Sequence, residues 1–129
     1  MERPGGEAVL AVTFFYYRDL AGAMRFYGDV LGLPLAIDQG WCKIYRLCPG
    51  AHVGLVDEAR GMHRAHPVKP VQLCLRVEDV DGWHAWARSR ALPGLSELFA
   101  NEALGIRAFV FDDPEGYQIE IQQATRAGA

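Results

Sequence analysis

Spaced by hydrophobic and polar positions, the chain predicts the same run of elements twice. Residues 8–17 are dense in Val, Phe, Tyr and Thr, the composition of a buried strand. Asp19 then stands where an N-cap belongs, and Leu20, Met24, Tyr27 and Leu31 recur at helical spacing. Gly32 supplies the left-handed stop, with Pro34 two residues on. Three strands follow at 33–38, 41–48 and 51–56, joined by turns at Gln39-Gly40 and Pro49-Gly50. The periodicity fails between 57 and 69, where Gly61, Pro67 and mixed charges take over. A second strand–helix pair then occupies 71–77 and 79–90, with Asp79 placed to cap. Pro93-Gly94 breaks that helix. A weak strand at 95–99, a loop at 101–105, a strand at 106–111, a turn at 112–116 and a last strand at 117–122 complete the pattern. The tail 124–129 reads as frayed.

The two runs correspond residue by residue. Asp19 and Asp79 stand sixty positions apart, and Leu20/Val80, Phe26/Trp86 and Leu31/Ala91 fall at that same offset. The expected architecture is α+β: one domain over 1–129, made of two β-α-β-β-β modules at about 8–57 and 70–123, with a linker over 58–69. A duplicated half-module usually builds its ligand site between the copies.

Composition narrows the function classes. With 129 residues the chain amounts to one domain, and no apolar run approaches the ~20 residues a bilayer span needs. The opening Met-Glu-Arg-Pro-Gly-Gly lacks the charged-then-apolar build of a secretory signal. A net charge of −3 without a Lys/Arg stripe argues against nucleic acid and mildly favours a cationic or neutral ligand. Cys42, Cys48 and Cys74 are odd in number, scattered, and in or beside apolar strands, so buried reduced thiols in a cytoplasm are expected.

Particular motifs carry a family resemblance. Arg18-Asp19-Leu20 followed by Phe26-Tyr27-x-x-Val30-Leu31-Gly32-Leu33 is similar to the first module of the vicinal oxygen chelate superfamily, which includes glyoxalases, bleomycin-resistance proteins and extradiol dioxygenases. Phe111-x-Asp113-Pro114-Glu115-Gly116-Tyr117-x-Ile119-Glu120 resembles the ending of its second module. The likeness covers roughly 9–122. It implies paired modules whose curved mixed sheets enclose a cleft, often in a homodimer. It implies less about chemistry, because the fold hosts metalloenzymes and metal-free binders alike.

In the enzymes of that family the metal is held by one residue from the first and one from the last strand of each module. The motifs carry these positions to Val12, Gly54, Gln72 and Glu120. A catalytic zinc takes three protein ligands and an open position, and other divalent ions also want several oxygen or nitrogen donors. Val12 offers hydrocarbon, Gly54 nothing, Gln72 a neutral amide, and only Glu120 a charge. No metal cofactor is therefore expected, a divalent ion being the alternative. By strand alternation His52 shares a face with Gly54, and the expectation is a half-exposed histidine near the cleft mouth rather than a rescuing ligand. His63 and His66 fall in the linker and read as solvated, His84 as a helix-packing residue.

The same positions assign Val12, Phe14 and Tyr16 to the cleft, and Thr13, Phe15 and Tyr17 to packing under the helix. Such an aromatic floor suits a small organic ligand, aromatic or cationic. Arg76 is a partner for a ligand carboxylate, or for Glu120 in the empty site. Trp41 is placed either to stack on a planar or cationic group or to serve as a hairpin or dimer-contact aromatic. Tyr45 and Arg46 lie on opposite faces, so only one lines the site. The ligand-binding candidates are thus Val12, Phe14, Tyr16, Trp41, His52, Gln72, Arg76 and Glu120.

The leading expectation is a metal-independent binder resembling the drug-sequestering bleomycin-resistance branch. The alternative is a glyoxalase- or dioxygenase-like lyase, isomerase or oxygenase, using a divalent metal or Glu120 as general base.

Overall fold

A computed structural model describes residues 1–129, which divide into two compact units, Met1–Ala65 and His66–Ala129. In the first, β1 (Ala11–Tyr17) leads into α1 (Leu20–Met24), which runs on as a π-helical segment, Arg25–Val30. Then come β2 (Leu35–Asp38), β3 (Cys42–Cys48) and β4 (Ala51–Asp57). The second unit repeats the order with β5 (Gln72–Arg76), α2 (Val80–Ser89), β6 (Phe99–Asn101), β7 (Ile106–Asp112) and β8 (Gln118–Ala124). Each forms a mixed four-stranded sheet, ordered β1-β4-β3-β2 in one and β5-β8-β7-β6 in the other. In each the first strand pairs parallel with the last, and the remaining pairings are antiparallel. The expected α+β fold of two β-α-β-β-β modules is the fold observed. No helix is long and apolar enough to cross a membrane.

One side of each sheet is covered by its helix. In the first unit Phe15, Tyr17, Tyr45, Val53 and Leu55 share that side and are buried with Phe26 and Tyr27. The Tyr17 hydroxyl donates to the Tyr27 hydroxyl at 3.3 Å. In the second, Phe109, Phe111, Ile119 and Ile121 are buried with Val80, His84 and Ala87 of α2. His84 is the expected helix-packing histidine: its Nε2 lies 2.9 Å from the Ser96 carbonyl and its ring meets the Phe109 ring edge-on.

Both helices start on the same device. Asp19 Oδ1 accepts from the Gly22 amide and Asp79 Oδ1 from the Gly82 amide, each at 3.0 Å. A Cβ on Gly22 would stand 2.6 Å from Asp19 Oδ2, and one on Gly82 2.3 Å from Asp79 Oδ2. The glycines let the cap carboxylates close down, and they too fall at the sixty-residue offset. The turn into β8 is held by Asp113, whose Oδ1 accepts from the amides of Glu115 and Tyr117 at 2.9 Å, with Gly116 at φ +89°.

Several expected boundaries move. Strand β1 begins at Ala11 rather than 8, because its partner β4 begins only at Ala51, after the Pro49-Gly50 turn. The weak strand of the second unit forms at Phe99–Asn101, not 95–99. Ser96 ties 95–98 to β7 irregularly, its amide donating to the Val110 carbonyl and its hydroxyl accepting from the Val110 amide. Strand β8 continues to Ala124, which pairs with Ile106. The tail beyond it is held, since Arg126 donates to the carbonyls of Glu102 at 2.8 Å and Ala103 at 2.9 Å. Of the three free cysteines only Cys42 is buried. Cys48 ends its strand at a turn, and Cys74 lies on the side of β5 away from the helix, so both are exposed.

Candidate functional site

The helix-free face of each sheet holds nearly all the expected site residues. In the first unit the register places Val12, Phe14 and Tyr16 of β1 beside His52, Gly54 and Val56 of β4, and these beside Arg46, Ile44 and Cys42 of β3. Cys42, Ile44 and Val56 form a buried cluster against which Val12 and Tyr16 pack. Phe14 remains 46% exposed, and its ring lies over Gly54 so closely that a Cβ there would stand 2.5 Å from Phe14 Cδ1 and 3.2 Å from Val12 Cγ1. The alternative between Tyr45 and Arg46 resolves in favour of Arg46. Tyr45 is buried on the helix side, where a Cβ on Gly28 would lie 3.3 Å from its Cε1, and burial, seconded by the Asp29 charge, pushes its phenol pKa up.

His52 departs from expectation. It is not half-exposed but only 9% accessible, and its Nδ1 is buried with no hydrogen-bond partner. Both its cross-strand neighbours, Val12 and Arg46, stand on the same face, which explains the burial of its ring between side chains. Trp41 precedes β3 at the hairpin and is 41% exposed, its carbonyl accepting from the Asp57 amide at 2.9 Å. His63 and His66 are exposed, as expected. The His63 ring meets Tyr16 edge-on, 5.2 Å between centroids.

In the second unit the corresponding face is polar. Gln72, Cys74 and Arg76 of β5 stand opposite Gln118, Glu120 and Gln122 of β8, pair by pair. Each pair is joined by a side-chain hydrogen bond. Gln72 Nε2 donates to Gln118 Oε1 at 2.7 Å, Cys74 Sγ to Glu120 Oε2 at 3.5 Å, and Arg76 Nε to Gln122 Oε1 at 2.6 Å. Gln122 Nε2 donates in turn to Glu120 Oε2, and Arg76 also donates to the Ala129 carbonyl. The sequence allowed Arg76 to pair directly with Glu120; instead the Gln122 amide relays between them. Although the residue as a whole is exposed, partial burial of its sulfur first, and then the adjacent Glu120 charge, pushes the Cys74 thiol up to about 11. That thiol stays protonated and acts as a donor.

The four positions that hold metal in the resembling enzymes carry Val12, Gly54, Gln72 and Glu120 here. In the first unit Val12 and Gly54 supply no donor atom, and the space a side chain on Gly54 would use is taken by the Phe14 ring. In the second, Gln72 is engaged by Gln118, while one oxygen of Glu120 already accepts from Cys74 and Gln122. No group of three or more His, Cys, Asp and Glu side chains is gathered anywhere to hold an ion. This donor set does not fit a tightly held divalent metal.

Sequence reasoning missed Gln122 as a relay, Cys74 as a donor and Arg46 as the lining residue of its pair. The period-two alternation of a strand is a signal for the first two, since it sets 118, 120 and 122 on one face and 72, 74 and 76 on another. Arg46 needed the burial of its neighbour Tyr45.

A family model described as the Glyoxalase/Bleomycin resistance protein/Dioxygenase superfamily matches residues 9–121. Curated proteins offer no match to the sequence. Among solved structures, a lactoylglutathione lyase from Agrobacterium tumefaciens is similar at 22% identity and TM-score 0.73, over 98% of this chain and 100% of its own. A glyoxalase/bleomycin resistance protein/dioxygenase from Nocardioides is similar at 18% identity and TM-score 0.71, over 98% and 89%. TioX from Micromonospora sp. ML1 is similar at 17% identity and TM-score 0.71, over 91% and 99%. At these identities the likeness is one of fold.

Proposed function

The chain belongs to the Glyoxalase/Bleomycin resistance protein/Dioxygenase superfamily, and from that premise we propose that it is a metal-independent binder of small organic molecules, acting by sequestration as bleomycin-resistance proteins do. The observation that carries this reading is the Phe14 ring lying over Gly54. It turns half of the family's coordination positions into apolar contact surface. Val12, Phe14 and Tyr16 then offer a floor for a flat apolar or aromatic body, with Trp41 near the sheet's end as a further stacking surface.

Glu120 serves in this reading as a hydrogen-bond acceptor for ligand and not as a general base. Its Oε2 is occupied by two donors of its own chain, which leaves Oε1 for a hydroxyl or ammonium group. Gln72 and Arg76 flank it on the neighbouring strand and add an amide and a guanidinium to the same polar surface. No cofactor is required. The homodimer implied by the resemblance is part of the proposal, as is a cytoplasmic setting, which three unpaired cysteines support.

Thermal-shift screening in the presence of chelator tests the reading. A ligand that binds the folded state raises the melting point, so aromatic compounds that do so without metal support it. Stabilisation that appears only when a divalent ion is supplied would overturn it.

A further inference from the structure

The helix-free face of the first unit carries an unbalanced charge. On its strands stand a guanidinium, Arg46, and an imidazole, His52, directly across from one another, and no carboxylate shares that face. Arg46 is exposed and has no ion-pair partner. His52 is more than nine-tenths buried, with its Nδ1 unpartnered. A buried nitrogen left without a hydrogen bond costs stability, and when it carries its proton it needs an acceptor, which the neighbouring guanidinium, a donor only, cannot supply. The group that answers both is an oxyanion. It accepts from the guanidinium, where a carboxylate is held in two parallel bonds, and from an imidazole N–H.

We infer that the ligand of this face is an organic acid, with its carboxylate on Arg46 and His52 and its apolar body laid along Val12 and Phe14. This rests on the binder reading above and deepens it: the cationic or neutral ligand that net charge favoured gives way to an anion with an aromatic body, because the local charge of the face and not the total of −3 meets the ligand.

The test uses three probes with one body, 2-naphthoate, 2-naphthamide and 2-naphthylmethylammonium, titrated calorimetrically into the full chain. Naphthoate is expected to bind about tenfold tighter than either of the others. Arg46→Gln, at an exposed position, is expected to abolish that preference while leaving the fold unchanged, so the test survives if a His52 variant fails to fold. In the unaltered chain the His52 ring nitrogens are expected to shift in long-range proton–nitrogen spectra on adding naphthoate and not on adding the amide. Equal affinity for acid and amide, or a preference that persists in Arg46→Gln, overturns the inference while leaving a binder in place. Binding of none of the three overturns the inference together with the reading beneath it.

Discussion

Gly54 shows how one missing side chain sets the character of a whole face. Its lack of a Cβ admits the Phe14 ring, and the ring makes an apolar floor at a position that holds a metal ligand in related enzymes. Gly54→Ala is therefore expected to cost about 1–3 kcal/mol by displacing that ring. The cost should fall sharply in a Phe14→Ala background, a coupling that chemical denaturation of the double-mutant cycle measures. Cys74 gives a second residue-scale prediction. Its thiol is raised from 9.0 to about 11 in the folded chain, so between those values the folded state keeps a proton that the unfolded state has released. The stability it contributes is present below pH 9 and is lost as pH rises toward 11. Denaturation midpoints measured across that range should decline, and Cys74→Ser should flatten the decline. Glu120→Gln, which removes the neighbouring charge, should bring the onset of Cys74 alkylation to lower pH.

Among the elements, the cap-and-glycine starts of the two helices are the clearest trace of duplication. Asp79→Ala is expected to cost about 1 kcal/mol. Gly82→Ala should cost a similar amount, because its Cβ displaces the same carboxylate. The two together should cost little more than either alone, as denaturant unfolding of the three variants would reveal. Much of the element order was legible in advance, since strand alternation, the caps at Asp19 and Asp79 and the Gly/Pro turns are all local signals. What escaped was set by non-local pairing. The π-helical segment Arg25–Val30 has the same apolar residues that an α-helix would, and six residues are too few for spacing to separate the two; its i→i+5 bond from Leu31 to Phe26 is visible only in three dimensions. Strand β6 formed later than expected because Ser96 bonds to Val110 out of ladder register, a contact between residues fourteen apart.

At the scale of the whole molecule, the two units share topology but not chemistry. One presents hydrocarbon, aromatic rings and two cationic or imidazole groups, the other a hydrogen-bonded ladder of amides, a thiol, a carboxylate and a guanidinium. The sequence made the family and the face assignments readable, because motif and period both survive duplication. It did not reveal the Gln122 relay or the burial of His52, which depend on where side chains from neighbouring strands come to rest. The proposed metal-independent binder rests on Val12 and Gly54, which put no donor atom at two of the family's four coordination positions. Calorimetric titration of chelator-treated full chain with nickel, zinc and manganese ions tests it most directly. The prediction is no saturable one-per-chain binding with any of them. A stoichiometric isotherm that Glu120→Gln abolishes would contradict it.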